Sequence, residues 1–123
     1  MRRALASLAV ALCALSLTAG CGSDDDGASG GSGSQETKVI DVTIKGDSVT
    51  PNGDRVDVSV GQPIELKVTA DAAGEIHVHS SPEQELEYDE GTSTVKLTPI
   101  DKPGTVDVES HALEKTIVQL EVR

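Results

Sequence analysis

The chain has 123 residues, with 21 Asp or Glu against 10 Lys or Arg and a formal net charge of −11 at pH 7. This length allows one domain. The negative charge disfavours nucleic acid and anionic lipid surfaces as partners and attracts cations, although solubility alone would explain the same acidity.

The first 21 residues follow the order of a secretory signal peptide. Two arginines follow Met1, residues 4–17 are apolar or small, and small residues immediately precede Cys21. This order of charge, apolar core and cleavage site is typical of export signals, and the apolar run is short for a spanning helix, which needs ~20 residues. The segment resembles a bacterial lipobox, with Thr18 where leucine is usual. We predict a signal peptide over residues 1–20 and acyl chains on Cys21. An ordinary signal peptide and an uncleaved anchor are the alternatives.

The two cysteines decide which chemistry is left for the rest of the chain. Cys13 would leave with the signal peptide, and Cys21 would carry lipid. The mature domain would then have no disulfide, no thiolate metal ligand and no cysteine nucleophile. Residues 21–37 are rich in Gly, Ser and Asp, which predicts a flexible tether. We expect a lipid-anchored protein on the extracytoplasmic face of the cell membrane, with its folded domain over residues 38–123.

From residue 38 onward, apolar residues alternate with polar ones. This period of two, interrupted by Gly, Pro, Asn and Asp, predicts half-buried strands. Short strands at this spacing favour an all-β fold, an antiparallel Greek-key β-sandwich or barrel. The inward positions are expected at Ile40, Val42, Ile44; Val56, Val58, Val60; Ile64, Leu66, Val68; Ile76, Val78; Val95, Leu97; Val106, Val108; and Val118, Leu120, Val122.

Three features of this pattern leave alternatives. Leu113, Ile117 and Leu120 also fit a helical stripe, but the β-branched residues around them favour a strand. Tyr88, the only aromatic residue, could stack on a ligand, although a place in the core is favoured. The acidic run over residues 83–90 lacks a Ca²⁺-loop pattern and is interpreted as a solvated edge strand or hairpin.

Several short motifs occur in a recognisable order. They are VTIKG (42–46), VTPNG (49–53), VDVSVGQP (56–63), IHVH (76–79), PGTVDV (103–108) and LEV (120–122). This order resembles the cupredoxin-like domain family, notably EfeO-type iron-uptake proteins and small actinobacterial lipoproteins, over residues 38–123. The resemblance implies a Greek-key β fold with metal ligands on the fourth strand and on the loop between the last two strands.

Carried over residue by residue, the resemblance implies an altered ligand set. His77 resembles the strand histidine, Glu109 stands at the cysteine position, His111 could be the loop histidine, and Thr116 lies near the methionine position. A blue-copper centre needs a His₂Cys set. We therefore expect no blue-copper electron carrier here.

Another metal site is still compatible with these residues. His77 and His79 are two residues apart and share one face of a strand, ~6.6 Å apart along the chain. Glu75 points the same way, and His111 or Glu109 could approach from the closing loop. Imidazole with carboxylate suits copper or another divalent metal, such as Ni(II) or Zn(II). An outward histidine pair can equally be a solvated surface feature.

These observations predict a non-enzymatic, membrane-tethered cupredoxin-like lipoprotein that binds a divalent metal. No nucleophile elbow, phosphate-binding glycine loop or zinc-protease motif occurs. The alternative is a metal-free structural or interaction domain of the cell envelope. We expect a monomer, with the membrane as its partner through Cys21 and no nucleic acid.

Overall fold

The computed structural model describes residues 34–123, which form two β-sheets. The predictions for the signal peptide, for Cys21 and for tether residues up to 33 lie outside this range. Residues 34–37 have no regular secondary structure, and the carbonyl of Glu36 accepts a 2.9 Å hydrogen bond from the Gln62 side chain. Within residues 34–123, no helix has the length and apolar character needed to cross a membrane.

Nine strands make up the described part of the chain. In chain order they are β1 (Lys38–Lys45), β2 (Ser48–Thr50), β3 (Asp54–Val58), β4 (Ile64–Ala70), β5 (Gly74–Val78), β6 (Gln84–Tyr88), β7 (Gly91–Leu97), β8 (Gly104–Ser110) and β9 (Lys115–Val122). The four-stranded sheet has the order β2-β1-β4-β7, and the five-stranded sheet has the order β3-β9-β8-β5-β6.

The strand predictions are confirmed with two differences of detail. β3 ends at Val58, and Val60 packs against the core from the following turn. β2 has no predicted counterpart, because three residues with one buried side chain are too short for an alternation signal. The last segment is the strand β9 and not a helix, and the acidic run supplies β6 at an edge of the five-stranded sheet.

The all-β sandwich prediction is confirmed, but the sheets are mixed and not purely antiparallel. β1 runs parallel to β4 in one sheet, and β3 runs parallel to β9 in the other. The remaining pairs are antiparallel. Alternation along one strand gives its two faces, but it carries no information about the direction of the neighbouring strand.

Aliphatic side chains fill the space between the sheets. Leu66 and Val68 from β4 are fully buried, as are Ile76 on β5 and Leu120 on β9. Burying one such side chain stabilises the fold by about 1.5–3 kcal/mol. Because Ile76 and Val78 on β5 point into the core, the alternating residues Glu75 and His77 face outward.

Tyr88 belongs to this core, as the sequence favoured. Its side chain is 6% exposed, and burial raises the pKa of its phenol. The phenol lies against Gly74, where a Cβ atom would overlap the hydroxyl. Glycine at the start of β5 thus lets the ring close this end of the sandwich.

The N-terminal segment and the start of β5 lie at opposite ends of the sandwich. Lys38 and Ile64 pair at the end where residues 34–37 enter the fold, whereas Ile44 and Ala70 pair at the other end. Because β4 finishes at that second end, β5 begins there. The first residues of β5 therefore lie at the end far from the N-terminal segment.

Candidate metal centre

The outward side chains of β5, β6 and β8, with those of the residues directly adjoining these strands, form one polar surface, here called the histidine face. His77 on β5 lies between Glu85 on β6 and Glu109 on β8. The members of the histidine face are Glu75, His77, His79, Glu83, Glu85, Glu87, Asp107, Glu109 and His111. The strands β5, β6 and β8 contain no Lys or Arg, so no basic side chain of these strands balances the carboxylates.

Three residues of this face bring possible ligand atoms together: Glu75, His77 and His111, each offering one atom within 4.8 Å of the others. His77 Nε2 lies 2.8 Å from Glu75 Oε1, and His111 Nδ1 lies 4.0 Å from the same oxygen. The rings of His77 and His111 have centroids 4.4 Å apart. The backbone N–H of His111 donates to the Glu75 carbonyl at 3.0 Å, which holds the two residues side by side.

These distances fit ligands of one metal ion. Two atoms that each lie about 2.0–2.1 Å from an ion are about 2.9 Å apart at a right angle and about 4.1 Å apart across it. The 2.8 Å and 4.0 Å separations lie close to these limits, and all three ligand atoms lie within 4.8 Å of one another. The group can therefore hold an ion with small side-chain movements, and the 62% exposure of the His111 side chain leaves open positions for water.

His79 and Glu109 lie on the same face but outside this group. His79 Nε2 is 2.9 Å from Glu109 Oε2, and the rings of His77 and His79 are 6.3 Å apart. The hydrogen bond with Glu109 raises the pKa of His79 above 6.5, against a smaller lowering by desolvation and with help from the charges of Glu109, Glu83 and Asp107. His79 thus prefers a protonated state more than a free imidazole does.

Glu109 and His111, predicted for the closing loop, both face outward because side chains alternate along and just beyond β8. Glu109 lies within β8 and not on the closing loop, and it faces outward beside His77. Its neighbour Ser110 is fully buried. His111 immediately follows β8, and the Thr116 hydroxyl on β9 donates to Glu109 Oε1 at 3.4 Å. All five candidate ligands share the histidine face, but their assignment as metal ligands stays a prediction.

Two carboxylates were missing from the sequence-based ligand set. Glu83 Oε1 lies 3.5 Å from Nδ1 of both His77 and His79, and Glu85 Oε1 lies 3.6 Å from His77 Nε2. The period of two in the acidic run places Glu85 on the outward face of β6 and Glu83, directly before β6, on the same side. Only the pairing of β6 with β5, which the sequence does not specify, puts them beside the histidines.

A surface groove of about 590 Å³ adjoins the Glu75–His77–His111 group. Its lining includes Glu75, Glu87, Tyr88, Asp89 and His111. Three carboxylates and an imidazole at its wall attract cations. The groove therefore gives a hydrated metal ion access to the group.

Comparisons with known proteins bear on the fold. No family model matches the chain, and no curated protein matches its sequence. Among solved structures, a multi-copper oxidase from Pediococcus acidilactici is similar with a TM-score of 0.52 and 16% identity, over 72% of this chain and 26% of the oxidase. The fold is cupredoxin-like. A point mutant of amicyanin in its reduced Cu(I) form matches with a TM-score of 0.48 and 15% identity, over 69% of this chain and 82% of amicyanin.

The cupredoxin-like fold expected from the motif order is thereby confirmed. The chain spans about a quarter of the oxidase's length, and identities of this size concern the fold alone. The narrower resemblance to EfeO-type proteins and lipoproteins stays a prediction. What the cupredoxin-like scaffold does in this chain has to be argued from its own residues.

Proposed function

We propose that this protein is a membrane-tethered, extracytoplasmic cupredoxin-like lipoprotein that binds a divalent metal ion through Glu75, His77 and His111. The observation that carries the proposal is the convergence of one carboxylate and two imidazoles within 4.8 Å on the histidine face. Surrounding carboxylates raise the local concentration of cations, and the open side of the group lets water complete the coordination.

The donor set favours particular metals. Imidazole with carboxylate suits Cu(II), Zn(II) and Ni(II), whereas thiolate and thioether ligands select Cu(I). Residues 34–123 contain neither Cys nor Met, so these residues cannot supply the His₂Cys set of a blue-copper centre. We propose binding or delivery of the ion, without electron transfer and without catalysis.

The test is a metal titration with matched variants. We use the full chain in detergent with Cys13→Ser and Cys21→Ser, here called the thiol-free chain, because free thiols would bind the same metals. His77→Ala and His111→Ala should each weaken Zn(II) and Cu(II) binding at least ~10-fold. Loss of a residue that only supports a metal ligand already costs about that much affinity. Lys67→Ala, on the other sheet, is the control and should change nothing.

The pH profile separates this site from diffuse attraction to carboxylates. Binding through imidazole should fade as pH falls through about 6.5, because protons compete for the ligating nitrogen. Binding by carboxylates alone would persist to about pH 4–5 and weaken with added salt. Metal binding that follows the second profile and ignores both histidine variants would contradict the proposal and favour a metal-free accessory domain.

Copper spectroscopy addresses the electron-transfer alternative. Cu(II) bound to the thiol-free chain should give only the weak d–d absorption of nitrogen and oxygen ligation. An intense thiolate-to-copper band in the wild-type chain that disappears in the thiol-free chain would show that a cysteine outside residues 34–123 completes the site, contrary to the proposal.

The membrane anchor is tested at Cys21. In cells, Cys21→Ser should abolish acyl labelling and detergent-phase partitioning, because the acyl chains provide the membrane affinity. Cys13→Ser, in the apolar segment, is the matched control and should leave both unchanged. A Cys21→Ser protein of mature size that is still acylated would refute the lipoprotein assignment.

A further inference from the structure

His79 and Glu109 form a second imidazole–carboxylate pair on the histidine face. His79 Nε2 and Glu109 Oε2 are 2.9 Å apart, the separation expected for two ligands at a right angle around an ion with bonds of about 2.0–2.1 Å. Both side chains are partly accessible, at 44% and 35% exposure. The pair can therefore exchange its shared proton for a metal ion without opening the core.

The ligand atoms of this pair do not converge with those of the first group. The rings of His77 and His79 are 6.3 Å apart and inclined at 68°, and the only converging set of three or more ligand residues among those the structure describes omits His79 and Glu109. Glu75 and His111 pair at one level of the sheet, whereas His79 pairs with Asp107 beyond His77. The five candidate ligands therefore divide into two groups along β5.

The surroundings of the pair resemble those of a supported metal ligand. A metal-bound histidine usually gives its other ring N–H to a carboxylate, a backbone carbonyl or water, which fixes the tautomer and the ring. His79 Nδ1 lies 3.5 Å from Glu83 Oε1, on the side of the ring away from Glu109. Glu109 is held in turn, because its second oxygen accepts from the Thr116 hydroxyl at 3.4 Å.

Glu83 also lies beside a histidine of the first group. Its Oε1 is also 3.5 Å from Nδ1 of His77, whose Nε2 faces Glu75. One carboxylate thus lies beside the non-ligating nitrogens of both histidines. A small movement would let this carboxylate accept from either ring and so link the two groups.

We propose that the histidine face binds two divalent metal ions: one at Glu75, His77 and His111, and a second, weaker one between His79 Nε2 and Glu109. Glu83 is the shared positioning residue. The second ion has two protein ligands and completes its shell with water, which suits Cu(II) or Zn(II). This inference shares the donor chemistry of the proposed function, but each ion has its own diagnostic residues.

The experiment counts Zn(II) ions on the thiol-free chain by native mass spectrometry, with excess Mg²⁺ present. Mg²⁺ prefers oxygen ligands and occupies diffuse carboxylate positions without displacing Zn(II) from imidazole. Two zinc ions are expected. His79→Ala and the nearly isosteric Glu109→Gln should each leave one ion, and His111→Ala should leave the other. Glu65→Gln, which removes the same charge from the opposite sheet, is the control and should keep two.

The outcomes separate the two proposals. A single ion lost with His111→Ala but retained in His79→Ala and Glu109→Gln overturns the second position and leaves the proposed function intact. A single ion lost with His79→Ala alone supports the second position and overturns the first. No bound zinc overturns both. Glu83→Gln should raise the dissociation constants of both ions ~10-fold. If it changes neither, Glu83 does not position the two histidines.

Discussion

The outer faces of the two sheets share the same strand alternation but have opposite chemistry. On the four-stranded sheet, threonines on neighbouring strands pair across the face, and Thr69 and Thr92 bring their hydroxyls within 3.4 Å. Opposite charges face each other there: Glu65 and Lys96 are 3.3 Å apart, and Asp41 lies opposite Lys67. On the histidine face, β5, β6 and β8 carry no basic residue to balance their carboxylates.

This difference is what we expect if the histidine face serves the proposed metal binding and the opposite face serves stability. Like charges opposite each other destabilise a sheet, as Glu75 and Glu87 do across β5 and β6. Conflicts between local stability and local sequence are expected at functional sites. The overall acidity of the chain therefore includes a local concentration of carboxylates around three histidines.

Two neighbouring residues of β5 test which of its side chains face inward and which face outward. Ile76 is fully buried and His77 faces outward. Ile76→Ala should lower the free energy of unfolding by about 2–5 kcal/mol, because it removes apolar contacts and leaves a cavity. His77→Ala should change it far less while metal binding falls. Urea unfolding of both variants in the metal-free protein measures this, and equal losses would contradict the assignment.

Removing one carboxylate from each face sharpens the comparison. Glu87→Gln relieves the like-charge pair with Glu75, so it should stabilise the metal-free protein. Glu65→Gln removes an opposite-charge pair with Lys96 and should destabilise it. Cross-strand pairs of this kind are worth about 0.2–1 kcal/mol, and exposure keeps both effects at the lower end. Urea unfolding at low salt is the measurement. Effects of the same sign would mean that the two faces do not differ electrostatically.

The sequence predicted most of the fold because β alternation is a direct consequence of burial. Ile40, Val42 and Ile44 are buried as expected, and β9 follows its alternation through Val122. The parallel pairings of β1 with β4 and β3 with β9 could not be predicted, because strand direction depends on long-range connections. β2 lies below the length at which alternation is visible.

The candidate site was predictable in composition but not in arrangement. The spacing of Glu75, His77 and His79 places them on one face, and the structure puts them there. Their division into two groups depends on cross-strand neighbours. The pairing of β5 with β8 puts His111 beside Glu75 and Glu109 opposite His77. The Glu109 side chain then reaches its diagonal neighbour His79, which local sequence does not specify.

The smallest expected effect is the titration of His79, which tests whether the histidine face acts electrostatically without metal. The hydrogen bond with Glu109 raises the pKa of His79 in the folded protein above the unfolded value of 6.5. The resulting stabilisation is therefore complete below pH 6.5 and is lost as pH rises through the folded-state pKa. In chelator-treated protein, the NMR ring-proton midpoint of His79 should lie above 6.5, and Glu109→Gln should move it down towards that value. Glu65→Gln, on the opposite sheet, should leave the midpoint unchanged. If the midpoint were at or below 6.5, or did not respond to Glu109→Gln, then the 2.9 Å contact would not be the one that determines the protonation of His79, and the carboxylates of this face would act only as a diffuse negative surface.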